Sequence, residues 1–190
     1  MCKPASFKVV KGPKALWSKT TDSHNEIETE HGLPVNAATT IFNVSVEITP
    51  PPTANGFPNW NAPLKDWVFR VDQDMLPKWW DAVEAEKEVR EELKKWVASK
   101  LIRNGDNRNV KEGDCILAIY CGGTVNEISG GTVGRISGGT VSLISGGTVR
   151  FTRPFETKIR GSQTVVIDST SPRARCIVGT DVWKTVRSKK

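Results

Sequence analysis

Two short stretches in the first half of the chain have the period of two that is typical of strands. Apolar and polar residues alternate over residues 40–49, and Trp67, Phe69 and Val71 alternate with Val68 and Arg70. Strict alternation is typical of a strand with one buried face, so each stretch predicts a half-buried β-strand. In the first stretch the apolar face begins at Phe42, and the polar face runs from Asn43 to Glu47. The proline- and asparagine-rich segment between the stretches is too long for a tight hairpin. We therefore expect the two strands to pair antiparallel across a loop.

In the following stretch the apolar spacing changes to three or four residues, which predicts a long amphipathic helix over residues 77–102. Pro77 is compatible with its first turn, where a backbone N–H is not needed. A shorter helix is predicted over residues 23–32, because Ser23 and Glu26 have the spacing of a capping box. The apolar stripe of the long helix comprises Trp80, Val83, Leu93, Trp96, Val97 and Leu101.

From Tyr120 the chain repeats every eight residues as YCGGTVNE, ISGGTVGR, ISGGTVSL and ISGGTVRF. The first and sixth positions are apolar in every copy, a glycine pair occupies the third and fourth, and the last two positions vary. This pattern predicts a stacked array in which the fixed residues form internal ladders and the variable pairs face outward. The predicted ladder residues are Tyr120, Val125, Ile128, Val133, Ile136, Val141, Ile144 and Val149.

A single octad cannot fold alone. Burying two aliphatic side chains contributes roughly 3 to 6 kcal/mol. Ordering eight backbone residues costs roughly 8 to 16 kcal/mol. Neighbouring strands must supply the difference, either from other coils of the same chain or from identical chains. Residues 159–165 resemble a degenerate copy with one inserted residue, which indicates that the array extends beyond Val149.

The predicted fold is therefore an α+β N-terminal domain, with a short antiparallel sheet and one long amphipathic helix, followed by a β-solenoid of octapeptide repeats. We place the domain at residues 1–112, the solenoid at 113–170 and a basic C-terminal segment at 171–190. Six of the seven tryptophans precede residue 100, so the conventional core belongs to the first domain. Within it, residues 7–10 predict one more short strand, and the turn-rich residues 103–114 predict a polar connector.

The net charge of +6 is concentrated at the C-terminal end. Residues 150–190 contain 10 Lys and Arg against 3 Asp and Glu. Such a segment attracts polyanions, namely nucleic acid, nucleotides or an acidic protein face, although a solvated tail that maintains solubility is the simpler interpretation. Trp183 beside this charge is a candidate for base stacking. The candidate polyanion surface comprises Arg153, Lys158, Arg160, Arg173, Arg175, Lys184 and Arg187.

Candidate catalytic groups are few. His24 and His31 lie two helical turns apart, but no further ligands at metal-site spacing accompany them, so we predict no metal. Asp72 and Asp74 stand at a strand-to-helix junction, where paired carboxylates and helix N-caps both occur. The glycine pairs lack the lysine and helix of a phosphate-binding loop, and we predict no cofactor. An enzyme, hydrolase-like and using these four residues, is one hypothesis, but our prediction is that the chain is not an enzyme.

The four cysteines have no C-x-x-C spacing, and the chain has neither a signal-peptide pattern nor an apolar stretch near 18 residues. We therefore expect reduced thiols, synthesis in the cytoplasm and no membrane association.

The ISGGTV repeats resemble the GGT-I/V arrays of uncharacterised bacteriophage proteins. Three upstream segments are similar to segments that accompany those arrays, so the resemblance spans residues 17–165. They are Ser23-His24 with Ile27 and Gly32-Leu33, residues 46–51 (VEITPP), and residues 71–80 (VDQDMLPKWW). Separately, an apolar residue followed two places later by glycine every eight residues resembles the octapeptide of triple-stranded β-helices in phage cell-puncturing needles. These resemblances imply a phage origin, and the second implies a homotrimer.

Three functions follow as hypotheses. The first is a non-enzymatic phage structural or interaction protein whose octapeptide β-helix drives oligomerisation, as a homotrimer or other homo-oligomer, or displays a binding surface. The second is a phage anti-defence protein that binds a host immune component or sequesters a nucleotide or nucleic acid. The third is the hydrolase-like enzyme. We expect the protein in the host-cell cytoplasm or associated with the virion.

Overall fold

A computed structural model describes residues 5–34, 42–56, 58–119, 122–136 and 138–151. It also describes the backbone of four later strands, residues 156–159, 165–168, 175–178 and 184–187. The chain forms two compact units, Met1–Val97 and Ala98–Lys190. This division falls before the expected boundary at residue 112, because the residues that follow Ala98 pair with strands of the repeat.

The first unit contains a four-stranded antiparallel sheet. Its strands are β1 (Ser6–Val10), β2 (Lys14–Leu16), β3 (Asn43–Thr49) and β4 (Val68–Val71). Their order in the sheet is β2-β1-β3-β4. Strand β3 pairs antiparallel with β4, so the pairing expected across the proline-rich loop is confirmed. Strand β2 was not predicted, and it follows β1 after a turn at Gly12, whose φ is +97°.

Strand β3 is buried on both faces, so the prediction of a half-buried strand is wrong. Asn43, Ser45 and Glu47, expected to face solvent, are all buried, whereas Phe42 is 52% exposed. The reason is the short helix α1 (His24–Glu30), whose side chains contact the polar face. A second layer therefore covers a face that the alternation alone would leave in water.

Helix α1 begins after Ser23, as predicted, but the Ser23 side chain makes no capping hydrogen bond. The long helix, α2 (Ala82–Lys100), begins five residues later than expected. Asp81 Oδ1 accepts the backbone N–H groups of Val83 at 2.9 Å and of Glu84 at 3.1 Å, and so caps the helix. Val83, which the sequence places on the apolar stripe, is 76% exposed. The buried stripe consists of Ala85, Val89, Leu93, Trp96 and Val97.

A tryptophan cluster forms part of the core of the first unit. Trp60 and Trp96 stack with ring centroids 6.5 Å apart, and Trp67 meets both rings edge-on. A short 3₁₀ turn, Leu64–Asp66, precedes Trp67. Arg90 of α2 donates hydrogen bonds to the carbonyl oxygens of Leu64 and Trp67, which fixes this turn to the helix.

The second unit consists of two sheets of mainly parallel strands. The strands are β5 (Leu101–Ile102), β6 (Cys115–Ile116), β7 (Ala118–Ile119), β8 (Thr124–Ile128), β9 (Thr132–Ile136), β10 (Thr140–Ile144), β11 (Thr148–Phe151), β12 (Glu156–Ile159), β13 (Val165–Asp168), β14 (Arg175–Val178) and β15 (Lys184–Arg187). The first sheet has the order β15-β12-β10-β8. The second has the order β14-β13-β11-β9-β7-β5, and β6 also pairs with β9.

Each repeat strand pairs with the strand two octads away. Thr124 stands opposite Thr140, and Thr132 opposite Thr148, in both cases sixteen residues apart. Successive octads therefore alternate between the two sheets. We name the sheets after their strand numbers: the sheet that contains β8 and β10 is the even sheet, and the sheet that contains β9 and β11 is the odd sheet.

The segment 103–114, predicted to be a polar connector, instead pairs with the repeat. Asn107 bridges to Thr124 and Val110 bridges to Ile128, both in parallel orientation, and Val110 is fully buried. The turns RNGD, ending at Asp106, and KEGD, ending at Asp114, are eight residues apart. In each turn the aspartate side chain accepts the N–H group three residues earlier, at 2.7 Å and 2.9 Å. These turns therefore belong to the array, and their spacing is the signal that the sequence reading missed.

The parallel pairing continues after the last clean octad. Strand β12 pairs with β10, and β13 pairs with β11. The predicted degenerate copy, residues 159–165, spans the end of β12 and the start of β13, and its central residues 160–164 lie outside the described residues. The last two strands are antiparallel: β15 lies along β12 and β14 along β13.

Candidate functional site

The fixed apolar positions of the repeat lie inside the second unit. Seven of the eight predicted ladder residues are buried in one cluster, and Tyr120 lies outside the described residues. Ile102, Val110, Ile116 and Ile119 from the preceding segment belong to the same cluster. The interior is thus continuous from β5 through the octads.

The glycine pairs allow neighbouring backbones to approach closely. A Cβ atom on Gly147 would lie 2.5 Å from the carbonyl oxygen of Gly131, and one on Gly131 would lie 2.5 Å from that of Asp114. Both glycines also have positive φ, +77° and +69°, which favours glycine over any other residue. The repeat therefore needs glycine at these corners for two independent reasons.

The serine of the octad binds the neighbouring strand of the same sheet. Ser145 N–H donates to the carbonyl oxygen of Ile128 at 2.8 Å, and its hydroxyl reaches the same oxygen at 3.4 Å. Ser129 makes the same two contacts with Val110. The second octad position is therefore structural, which leaves the outward positions as the part of the repeat available for recognition.

The strands of the repeat expose different side chains on the two sheets. On β8, β10 and the segment 103–114, the exposed side chains include uncharged amides and hydroxyls besides the charged Asp106, Lys111 and Glu112, and Asn126 Nδ2 donates to Asn107 Oδ1 at 3.4 Å. On the odd sheet the exposed residues include two arginines, Arg135 and Arg150. The exposed neutral residues are Asn107, Asn109, Asn126, Thr140 and Ser142.

The seven basic residues proposed from the sequence fall in the C-terminal part of the chain. Arg153, Arg160, Arg173 and Trp183 lie outside the described residues. The backbone places Lys158 in β12, Arg175 in β14, and Lys184 and Arg187 in β15.

Two of these positions stand opposite acidic ones. The strand register places Arg187 opposite Glu156 and Arg175 opposite Asp168. Directly opposed residues of an antiparallel pair are close neighbours. An anion approaching either arginine position therefore meets a carboxylate position beside it.

The candidate catalytic residues of the first unit come together only in part. His24 Nδ1 lies 3.5 Å from Asp72 Oδ2, whereas His31 Nε2 lies 3.0 Å from the carbonyl oxygen of Trp17. Asp74 is exposed. The helix-capping role considered for Asp72 and Asp74 belongs to Asp81. The four residues thus provide one histidine–carboxylate pair.

His24 is held by the backbone as well. Its Nε2 lies 3.1 Å from the carbonyl oxygen of Val46, and since a carbonyl oxygen only accepts, Nε2 carries the proton. Burial lowers the pKa of His24, and nearby Lys8 acts in the same direction. The Val46 carbonyl, Asp72 and Glu47 oppose this shift. The lowered pKa favours the neutral ring of His24, in which Nδ1 has no proton to donate to Asp72.

A buried lysine, which sequence reasoning missed, lies next to this pair. Lys8 Nζ on β1 donates to Glu28 Oε1, to Ser45 Oγ at 2.7 Å and to Asn43 Oδ1 at 3.2 Å. All three ammonium protons thus have an acceptor. Its position between Phe7 and Val9 in a strand, opposite the polar residues of β3, is the signal that could have indicated it. The network joins α1 to the sheet.

The described residues contain no group of three or more His, Cys, Asp or Glu side chains placed to hold a metal ion. Within the same part of the chain, no helix is both long and apolar enough to cross a membrane. No family model, curated protein or solved structure matches the chain. A functional assignment must therefore start from its own residues.

Proposed function

We propose that the chain is a non-enzymatic, phage-type structural or interaction protein, in which octapeptide repeats form a β-solenoid that displays a binding surface. The observation that carries this proposal is the division of the octad between inside and outside. Valine and isoleucine at the fixed positions are buried, whereas the exposed residues include variable ones such as Asn126, Arg135 and Ser142. Sequence variation is thus concentrated where a partner would bind. The phage assignment rests on the resemblance of the repeat and its upstream segments.

The strand register supports a coil of sixteen residues, made of one octad in each sheet. Thr140 N–H donates to the carbonyl oxygen of Gly123 at 2.9 Å, and Thr148 N–H to that of Gly131 at 3.0 Å. These hydrogen bonds join coils of the same chain. They supply the stabilisation that an isolated octad lacks, and they favour a single-chain solenoid over an intertwined homotrimer.

Deletion of one or two octads tests this architecture. Removing residues 128–143 takes out one whole coil, so later strands keep their sheets, and we expect a folded chain. Removing residues 128–135 takes out half a coil and moves each later strand to the opposite sheet. There β12 and β13 keep β10 and β11 as partners, but β10 must take the place of β9 beside β7, and β11 the place of β10 beside β8. We therefore expect a larger loss of stability from the smaller deletion, located at this junction.

The readouts are thermal unfolding by far-ultraviolet circular dichroism and native mass at micromolar concentration. If both deletions were tolerated equally and the native mass were that of a trimer, the repeat unit would be eight residues. The single-chain solenoid would then be wrong.

A second candidate function is a phage anti-defence protein that binds a nucleotide or nucleic acid. It is favoured by the positive charge on the odd sheet, where Arg135 and Arg150 are both exposed. Salt-sensitive binding to a polyanion supports this candidate, and absence of binding at low salt would count against it.

A further inference from the structure

The array of parallel strands ends in two strands that run in the opposite direction. From β8 to β13 the strands pair in parallel, and successive strands alternate between the two sheets. Strand β14 departs from both patterns, because it pairs antiparallel with β13 in the same sheet. Strand β15 then pairs antiparallel with β12 in the even sheet. The last strand of each sheet is therefore a reversed one, and the repeating pattern ends at β13.

The two reversed strands cover the terminal edges of both sheets along their full length. All four residues of β12 have partners in β15, and all four residues of β13 have partners in β14. An uncovered terminal strand presents a row of unpaired N–H and C=O groups, which is a template for pairing with another chain. Stacked-repeat proteins accordingly need terminal segments that close the array. Strands β14 and β15 occupy the position of such a cap.

Opposite charges favour the observed register of these strands. Arg187, the last residue of β15, stands opposite Glu156, and Arg175, the first residue of β14, stands opposite Asp168. Opposite charges at opposed positions stabilise an antiparallel pair. A slip of one residue would separate both charge pairs. Part of the basic character of the C-terminal segment therefore serves to hold β14 and β15 on their neighbours.

The outer edge of β15 disfavours a second copy of the chain, whereas the edge of β12 does not. Among the described strands, none pairs with the outer edge of β15. Two copies of β15 paired antiparallel in centred register would place Lys184 opposite Arg187 at both ends. Like charges at opposed positions destabilise a sheet, and charged edge strands resist pairing with other chains. The same pairing of two copies of β12 would place Glu156 opposite Ile159 and would oppose no like charges.

We propose that β14 and β15 form a cap that the chain supplies to itself, and that the edges of β12 and β13 beneath it are a concealed interaction surface for a second copy of the chain. With the cap in place the chain is a monomer. When the cap detaches, two chains pair end to end, strand edge against strand edge, in a closed two-fold arrangement. The inference rests on the proposed solenoid and adds how its assembly is controlled.

Proline substitutions in β15 test the cap in the full-length chain. In an antiparallel pair, successive residues direct their N–H groups alternately toward the partner strand and away from it. Of Thr185→Pro and Val186→Pro, one therefore removes a hydrogen bond to β12, and the other removes an N–H group that points away from β12. The second variant is the matched control, because an edge strand tolerates proline where its N–H faces outward. Circular dichroism shows whether each variant is folded.

Native mass and sedimentation velocity at micromolar concentration give the number of chains. We expect the unmodified chain and one proline variant to be monomeric, and the other proline variant to shift to a dimer as its concentration rises. Hydrogen exchange locates the contact. In the dimerising variant at low concentration, N–H groups of β12 should exchange faster than in the unmodified chain, and dimerisation should restore their protection.

Exchange of the opposed charges is a second test, which does not depend on proline. Arg187→Glu places like charges opposite each other and should favour the dimer. Glu156→Arg/Arg187→Glu restores opposite charges at these positions and should restore the monomer. Lys189→Glu makes the same change of net charge outside β15 and should leave the chain monomeric. If neither proline variant folds, these three variants decide the outcome.

Several results would overturn the proposal. They are an unmodified chain that is already dimeric at the same concentration, equal native masses in the two proline variants, or a Lys189→Glu variant that dimerises as strongly as Arg187→Glu. The octad deletions measure the architecture independently. If they support the coil of sixteen residues while loss of the cap produces no dimer, the proposed solenoid stands and only the cap is wrong.

Discussion

Replacement of Gly147 by alanine tests the close approach of neighbouring coils. The new Cβ atom would lie 2.5 Å from the carbonyl oxygen of Gly131 and 2.6 Å from that of Gly130. Ordinary contact begins near 3.4 Å, so the coils must separate locally by about 0.9 Å (3.4 − 2.5). Hydrogen-bonded strands are only about 4.8 Å apart, so a displacement of this size weakens the hydrogen bonds between them.

Two factors contribute to the expected loss of stability in Gly147→Ala. An alanine with positive φ costs roughly 1 to 2 kcal/mol. Forcing an additional carbon into a packed site costs typically 1 to 3 kcal/mol. We therefore expect Gly147→Ala to lower the free energy of unfolding of the second unit by about 2 to 5 kcal/mol.

Two other glycines separate these factors. Gly113 has φ of +85° with nothing within 4 Å of an added Cβ, so Gly113→Ala measures the backbone cost alone. Gly130 has no positive φ, but an added Cβ would lie 2.7 Å from the backbone nitrogen of Glu112, so Gly130→Ala measures the steric cost alone. The loss in Gly147→Ala should approach the sum of the other two.

Urea unfolding followed by circular dichroism gives the free energies. Hydrogen exchange at the Thr148 N–H, which donates to Gly131 in the unmodified chain, shows whether the damage is local. If Gly147→Ala lowers the free energy of unfolding no more than Gly113→Ala does, the two backbones do not approach as closely as described, and the proposed solenoid is wrong.

Three further predictions concern the first unit and can be followed by urea unfolding. Because burial lowers the pKa of His24, the folded state binds fewer protons than the unfolded one, so stability should fall as pH drops below about 6.5. His24→Gln should flatten this dependence, and an unchanged slope would contradict the assignment. Lys8→Met should cost about 3 to 5 kcal/mol because Glu28 remains buried without its cation, and adding Glu28→Leu should recover most of the loss. Asp81→Ala should cost about 1 kcal/mol, whereas Ser23→Ala, which removes no capping bond, should cost little.

The spacing of apolar residues predicted the strands and helices that pack one apolar face on a core. The alternation at residues 67–71 and the helical spacing before Lys100 identified β4 and most of α2, because both reflect one apolar face packed on a core. The same logic failed at β3, where packing by α1 buries the polar face. Alternation reports that two faces differ, but it does not report whether a second layer covers the polar one.

The start of α2 is determined by a capping side chain, which the apolar spacing of the sequence does not predict. The stripe could be extended back to Trp80, but the Asp81 side chain supplies acceptors for two N–H groups and sets the first turn after it. Capping contributes about 1 kcal/mol, enough to shift a boundary by one turn when few apolar contacts oppose it.

The sequence did not predict which outward residues share a sheet, because the sequence repeats every eight residues whereas the strands pair every sixteen. Octads that share ISGGTV contain little to show that alternate copies occupy different sheets, so all variable pairs looked equivalent. Once the strands are assigned, octads two and four contribute Arg135 and Arg150 to one sheet, whereas octads one and three place Asn126 and Ser142 on the other. Writing the repeat in lines of sixteen residues would have aligned the arginines within one column of each other.

The pairing of strands sixteen residues apart also explains how near-identical octads can present two different outward faces. The inward positions must be nearly identical in every octad, because each packs against neighbours from both sheets in one continuous cluster. The outward positions face only water or a partner, and each sheet receives every second octad, so the two faces can diverge in charge without disturbing the interior. The basic C-terminal residues predict binding of a polyanion, but the strand register sets Arg175 and Arg187 opposite acidic positions. Part of the positive charge of this segment is therefore matched by acidic positions within its own strand pairs.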